Sequence, residues 1–312
     1  MKVLFFGTPD IAAVSLEKLI CDGFEITGVV TQPDKPKGRG HKLTPPPVKV
    51  LAEEKNIPVY QPERLKNGEL EAVLDETKPD IAAVVAYGKI LPEYVLNYPK
   101  HGCINMHASL LPKYRGAAPV QWSVINGDKV TGVTTMLMDK GLDTGDMLLS
   151  KETEIGLYET SEELFERIAV MGADILSKTL KNIESIKPVA QDDSKSTYAS
   201  MITKEMGNIT WDTEKEKISK LICGMNSWPL AYTYYKGELM KVIAARLGDD
   251  KISGKPGEIL AVEKGKGIKV QCKNGTLYIT NIQFAGGKKL SVDEYIKGHS
   301  IEIGEILTRE TE

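Results

Sequence analysis

Lys2-Val-Leu-Phe-Phe-Gly-Thr-Pro-Asp10 decides the fold. An apolar run over residues 2–6 breaks at Gly7, and a helical pattern follows in which Thr8 is placed to cap and Pro9 suits the first turn. Ile11, Val14, Leu16 and Leu19 recur at helical spacing until Cys21-Asp22-Gly23 stops them, and residues 25–31 read as a second strand. Strand, helix, strand is the opening of a parallel sheet, so a Rossmann-like α/β domain is expected. The glycines do not form Gly-x-Gly-x-x-Gly, which leaves a dinucleotide site without its fingerprint.

Outward from that unit the strand and helix signals alternate. Helices are expected at 48–55 and 70–76, a short strand at 58–60, and a near-continuous apolar strand at 80–86 of the kind covered on both faces. Residues 33–49 differ: Lys35, Lys37, Arg39, Lys42 and Lys49 stand against the single acid Asp34, a local charge of +4. So many prolines and glycines predict an irregular basic loop; it is either a solvated surface loop or a phosphate-binding element.

The strand at 102–106 leads into Asn105-Met106-His107-Ala108-Ser109-Leu110-Leu111-Pro112, the expected seat of chemistry. Carboxyl ends of strands in an open α/β sheet face the ligand crevice, and residues two apart on one strand share a face. Asn105 and His107 therefore point to one cleft, where an amide can polarise a carbonyl and an imidazole can move a proton. The bland alternative is a turn cap and a structural histidine. Residues 131–138 form a further strand that feeds Asp139-Lys140-Gly141-Leu142-Asp143-Thr144-Gly145-Asp146. These acids lack the calcium-loop spacing; Asp143 is better used as the anion that fixes the tautomer of His107 and stabilises charge on its ring. Ser109 lacks a nucleophile elbow, so direct transfer is favoured over a covalent serine step.

The chain has 312 residues, 41% of them hydrophobic and 27% charged, which allows two domains with ordinary cores. Four scattered cysteines, with no Cys-x-x-Cys pair, suggest reduced thiols rather than a disulfide scaffold or a zinc site. No apolar run approaches the ~18 residues that span a bilayer, and a cytoplasmic protein is expected, without metal and as a monomer. A long helix over 159–186 closes a catalytic domain at 1–187, a polar linker follows at 188–205, and a second domain fills 206–312. In the latter, five short strands separated by turns suggest a small OB-type barrel, a fold often used on nucleic acid. Between Met206 and Gly298, 15 Lys and Arg against 10 Asp and Glu leave +5.

Together these segments resemble the methionyl-tRNA formyltransferases nearly end to end: at Gly7-Thr8-Pro9-Asp10, Gln32-Pro33-Asp34 with Gly38-Arg39-Gly40, Ala86-Tyr87-Gly88 with Ile90-Leu91-Pro92, the stretch 105–112, Tyr114-Arg115-Gly116-Ala117-Ala118-Pro119, and 138–146. The resemblance puts Asn105, His107 and Asp143 at the catalytic positions, and implies 10-formyltetrahydrofolate as donor, contacted by Gly88, Ile90, Ser109, Leu110, Leu111 and Pro112, largely through backbone. It implies initiator methionyl-tRNA as acceptor, with Lys35, Lys37, Arg39 and Lys42 binding the tRNA, and no metal. The core signature is shared with formyltransferases acting on sugar nucleotides or other small amines; the basic loop and the barrel favour tRNA. A non-catalytic RNA-binding protein would use loop and barrel alone and bind no folate. Ile11 stands where the family often has an aromatic residue.

Overall fold

In a computed structural model, which describes residues 1–37, 42–65 and 68–309, the chain forms two compact units. The first comprises Met1–Pro119, Thr131–Thr153 and Phe165–Ala199; the second comprises Val120–Val130, Glu154–Leu164 and Ser200–Glu312. The elements up to residue 199, in chain order, are β1 (Lys2–Gly7), α1 (Asp10–Cys21), β2 (Glu25–Val30), β3 (Lys35–Lys37), β4 (Lys42–Thr44), α2 (Pro47–Glu54), β5 (Val59–Tyr60), α3 (Glu71–Thr77), β6 (Ile81–Val85) and α4 (Glu93–Leu96). There follow β7 (Cys103–His107), β8 (Arg115–Gly116), α5 (Pro119–Ile125), β9 (Val130–Leu137), β10 (Met147–Glu154), α6 (Ser161–Lys181) and β11 (Tyr198–Ala199).

The central sheet runs β10-β9-β7-β6-β1-β2-β5. β7, β6, β1, β2 and β5 are parallel, and β9 is antiparallel to β7. All five residues of β6 are buried, as a strand covered on both faces requires. Leu4, Phe6, Val30, Ala82, Val84 and Cys103 pack on one face against Leu70, Val73 and Leu74 of the α3 region and Val95 and Leu96 of α4. Each large side chain so buried stabilises the fold by about 1.5–3 kcal/mol before entropy is counted. Gly7 ends β1 where a Cβ would lie 2.6 Å from that of Ala12, so only glycine lets α1 start this close to the strand.

Three expectations are corrected. Thr8 does not cap α1: Pro9 occupies the N-cap without a side-chain bond, and the Thr8 hydroxyl donates instead to the Tyr87 carbonyl, 3.0 Å away, tying β1 to the end of β6. Val14 stays 36% exposed, so the buried face of α1 is made by Ile11, Ala12, Leu16 and Leu19. The basic stretch is not irregular throughout: β3 and β4 pair antiparallel, Pro36 opposite Leu43, and α2 starts at Pro47. A proline fits there because this two-stranded ribbon is all edge and Pro36 needs to donate no ladder bond. Lys49 belongs to α2, where its ammonium is spent on Asp34 at 3.0 Å and Gln61 at 2.9 Å. β10, which the sequence pattern does not announce, is an outer strand with only Leu148 buried.

The second unit contributes α7 (Lys215–Gly224), β12 (Ala231–Tyr235), β13 (Glu238–Leu247), β14 (Ile259–Glu263), β15 (Gly267–Cys272), β16 (Gly275–Phe284), β17 (Leu290–Ser291) and α8 (Val292–Tyr295). Its sheet follows β12-β13-β16-β15-β14 in antiparallel pairs, with β17 on β16. The segment 303–308 joins the two outer strands: Ile259 N–H donates to the Glu305 carbonyl at 2.9 Å, and Tyr234 and Thr308 exchange backbone bonds of 2.9 and 3.0 Å. The path thereby returns on itself, as in the small barrel expected from the strand spacing.

Candidate active site

β7 continues through His107, so Asn105 and His107 share a face. Met106 turns the other way, toward α6, where a Cβ at Gly172 would come within 2.7 Å of its sulfur. At the strand end His107 is 6% exposed. Its Nε2 lies 2.9 Å from the Tyr114 carbonyl, which can only accept, so Nε2 carries the proton and donates. Nδ1 faces Asp143, 3.7 Å from Oδ2. That separation is an ion-pair distance and too long for a hydrogen bond. The same Oδ2 accepts from the Gly116 N–H at 2.8 Å, which fixes the carboxylate. Asn105 is half-buried, and its carboxamide has no hydrogen-bond partner among the described residues.

The loop after β7 is held by Thr134, the residue opposite His107 in β9. Its hydroxyl donates to the Ser109 carbonyl at 2.8 Å and accepts from the Leu111 N–H at 3.2 Å. The Ser109 hydroxyl, fully buried, donates to the Lys113 carbonyl at 2.6 Å. Ser109 thus shapes the loop rather than offering a free hydroxyl. Leu110 packs toward Gly132, Leu111 is 7% exposed, and Pro112 follows a cis peptide bond. At the end of β6, Gly88 has φ +84° and Ile90 is 81% exposed, an apolar side chain set in open solvent. Between them and β1, the Tyr87 carbonyl gathers Thr8 and Gln32, at 3.0 and 3.1 Å. Ile11 is buried, 3% exposed, in the first turn of α1.

Gln191 escaped the sequence. Gln191 donates its amide to the carbonyls of Asp143 and Gly145, at 2.8 and 2.7 Å, while its oxygen accepts from Nε and Nη2 of Arg115, at 3.0 and 2.8 Å. Of the stretch 188–205, polar enough to read as a linker, residues 188–199 belong to the first unit: Val189 bridges Met147 and β11 pairs with β8. Gly116 permits that pairing, since a Cβ there would meet the Ala199 carbonyl at 2.6 Å. Of the basic residues, Lys35 is exposed on β3, Lys37 and Lys42 end the ribbon, and Arg39 lies outside the described residues. Asp139 is engaged in its own turn, accepting from Gly141 N and Thr144 Oγ1 at 2.9 and 2.7 Å.

A mostly parallel sheet that presents an unpartnered amide beside an acid-backed imidazole suits attack by an amine on an activated carbonyl. Residues 1–180 match the formyl transferase family, and residues 201–300 match its C-terminal domain, so fold and site define a formyl-transferring enzyme. A methionyl-tRNA formyltransferase of Clostridium tetani is 50% identical over 311 residues, covering 98% of this chain and 99% of that protein. Another, of Acetivibrio thermocellus, is 47% identical over 310 residues, 98% and 99% of the two chains. The chain belongs to the methionyl-tRNA formyltransferase family. Among solved structures, an N-formyltransferase of Helicobacter canadensis in complex with folinic acid and dTDP-3-aminofucose shares the fold, with TM-score 0.67 at 20% identity over 93% of this chain and 100% of that one. HypX of Aquifex aeolicus, in complex with tetrahydrofolic acid, gives TM-score 0.61 at 16% identity over 95% of this chain, which spans 47% of that protein. No helix among the described residues is long and apolar enough to cross a membrane.

Proposed function

We infer that this protein transfers the formyl group of 10-formyltetrahydrofolate to the free α-amine of initiator methionyl-tRNA. The observation that carries the chemistry is Asn105, whose carboxamide has no partner among the described residues and lies beside a histidine whose Nε2 donates to the Tyr114 carbonyl and whose Nδ1 faces Asp143. The bound folate supplies an activated formyl carbon, which the acceptor amine attacks; the bond from that carbon to N10 then breaks, and tetrahydrofolate leaves with a proton taken up on N10. Asn105 N–H donates to the formyl oxygen as negative charge gathers there, a contribution of roughly 10² to 10³ in rate. His107 takes up the proton that the amine loses: with Nε2–H donating to the Tyr114 carbonyl, Nδ1 is the ring nitrogen able to accept it. Asp143, anchored by Gly116, keeps Nδ1 oriented and balances charge on the ring.

A folate fits the residues present. Ile90 offers exposed apolar surface to a flat ring system, and Gly88 with Leu110, Leu111 and Pro112 frames the carboxyl ends of β6 and β7 with backbone polar groups. Ser109 serves through its backbone. Lys35, Lys37, Arg39 and Lys42 meet tRNA phosphates, and a reaction on aminoacyl-tRNA places the enzyme in the cytoplasm.

The decisive assay follows labelled formyl from 10-formyltetrahydrofolate to methionyl-tRNA. Wild-type protein transfers it; Asn105→Ala lowers kcat by roughly 10² to 10³ while the folate dissociation constant stays within about threefold. Label passing to an amino-sugar nucleotide and not to methionyl-tRNA would refute the acceptor, and full turnover by Asn105→Ala would refute the site.

A further inference from the structure

The second unit carries a column of rings that the formyl-transfer chemistry does not use. Tyr235 stands edge-on to Phe284 with centroids 6.2 Å apart. Phe284 stacks on Tyr295 at 5.0 Å and 22°, and Tyr295 stacks on His299 at 4.3 Å and 10°. Exposure rises along the column, from Tyr235 at 9% through half-buried Phe284 and Tyr295 to exposed His299. Local structure fixes each member. Phe284 ends β16 opposite Met240. Ser291 caps α8 in a reciprocal capping box with Glu294, which sets Tyr295 one residue further on. The His299 N–H and Nδ1 both lie 3.2 Å from the Tyr295 carbonyl, so Nδ1 carries the proton and Nε2 remains an acceptor. Among the described residues no further ring or cation lies on the imidazole.

Charge around the column is biased. Lys288 and Lys289 lie between Phe284 and β17, Lys297 lies between Tyr295 and His299, and all three are exposed; Lys288 and Lys289 pair with no acid among the described residues, while Lys297 lies within electrostatic reach of Glu294. The acids on the same segments are engaged: Asp293 accepts from Gly265 N at 3.0 Å, and Glu294 from Ser291 N at 3.0 Å. Glu302 pairs with Lys236. Glu238, close to Tyr295, has no salt-bridge partner among the described residues.

We propose that the His299 end of this column is a stacking platform for one unpaired base of the RNA substrate, with the adjoining phosphates held by Lys288, Lys289 and Lys297. The proposal rests on tRNA being the acceptor. Every base has a π-face, so stacking on an aromatic ring anchors single-stranded nucleotides without regard to sequence, and clustered lysines supply the salt-sensitive part of the attraction. An imidazole already stacked on Tyr295 is pre-oriented and loses little freedom when a base adds to it.

The test uses the full chain with methionyl-tRNA, reading binding by fluorescence anisotropy and formylation kinetics in parallel. His299→Ala should weaken tRNA binding about fivefold or more and raise KM for methionyl-tRNA to match, with kcat at saturation unchanged. His299→Trp should bind as wild type or tighter, because it restores a ring. Lys288→Ala with Lys289→Ala should weaken binding and flatten its salt dependence. Wild-type binding by His299→Ala, or an equal loss in the alanine and tryptophan variants, overturns the platform. A wild-type protein that fails to bind methionyl-tRNA overturns the acceptor assignment and the platform together, which sets that failure apart from one confined to the variants.

Discussion

Gln191 joins three parts of the first unit through one amide, taking Arg115 on its oxygen and the carbonyls of Asp143 and Gly145 on its nitrogen. Asp143 sits at φ +53°, a left-handed conformation that costs a non-glycine residue energy and holds only where its surroundings dictate it. The glutamine is that surrounding. Gln191→Ala should lower kcat by about 10- to 100-fold with KM for both substrates little changed, because the loop carrying Asp143 loses its position while the binding surfaces remain. Gln191→Glu should be no better, since a carboxylate facing two carbonyls repels them. Recovery of full kcat in the glutamate variant would show that the donated bonds do not matter. The shared face of Asn105 and His107 was legible from a two-residue spacing at a strand end. Gln191 was not, because nothing in a polar stretch 48 residues from Asp143 in sequence tells that the two meet.

At the scale of elements, the loop after β7 depends on its neighbour β9. Thr134 is fully buried, and its hydroxyl satisfies the Ser109 carbonyl and the Leu111 N–H. Thr134→Val keeps the shape and strips both bonds, leaving two buried backbone groups unpaired. The expected loss is about 1–3 kcal/mol, read as a lowered denaturation midpoint, together with a raised KM for the folate. An unchanged midpoint would show that the loop relaxes to find other partners. The β3–β4 ribbon is the other exposed element, proposed to meet tRNA phosphates. Lys35→Glu and Arg39→Glu should each raise KM for methionyl-tRNA and reduce the slope of its salt dependence, with folate affinity untouched; equal slopes in variant and wild type would count against phosphate contacts there. Why the ribbon was misread is physical: Pro36 and the flanking glycines argue against a central strand, and a ribbon outside the main sheet is where that prohibition does not apply.

The whole chain shows the same division between what local sequence encodes and what distant contacts add. Continuous apolar runs announced β1, β2, β6 and β7, and short alternating runs announced the strands of the second unit, since burial on two faces or one leaves that imprint directly. The boundary between units left none: α5 and the start of α6 pack with the second unit although the surrounding chain belongs to the first, a choice made by tertiary packing. The cysteines give a global check. Cys103 and Cys272 have thiols pushed up to about 12 by burial, and burial raises that of Cys223 as well. Cys21 is exposed. A thiol-reactive disulfide reagent should label one site rapidly in the native protein and four after denaturation, with Cys21→Ser abolishing the fast phase; rapid labelling of two or more sites would mean that a core opens readily.

The seam made by 303–308 gives synthesis an order. A nascent chain extended only as far as α8 has its antiparallel strands but leaves bare β14 and the Tyr234 end of β12, and bare rims invite pairing with a neighbour. Shelter from such mispairing arrives only when these late residues emerge and stitch the rims together.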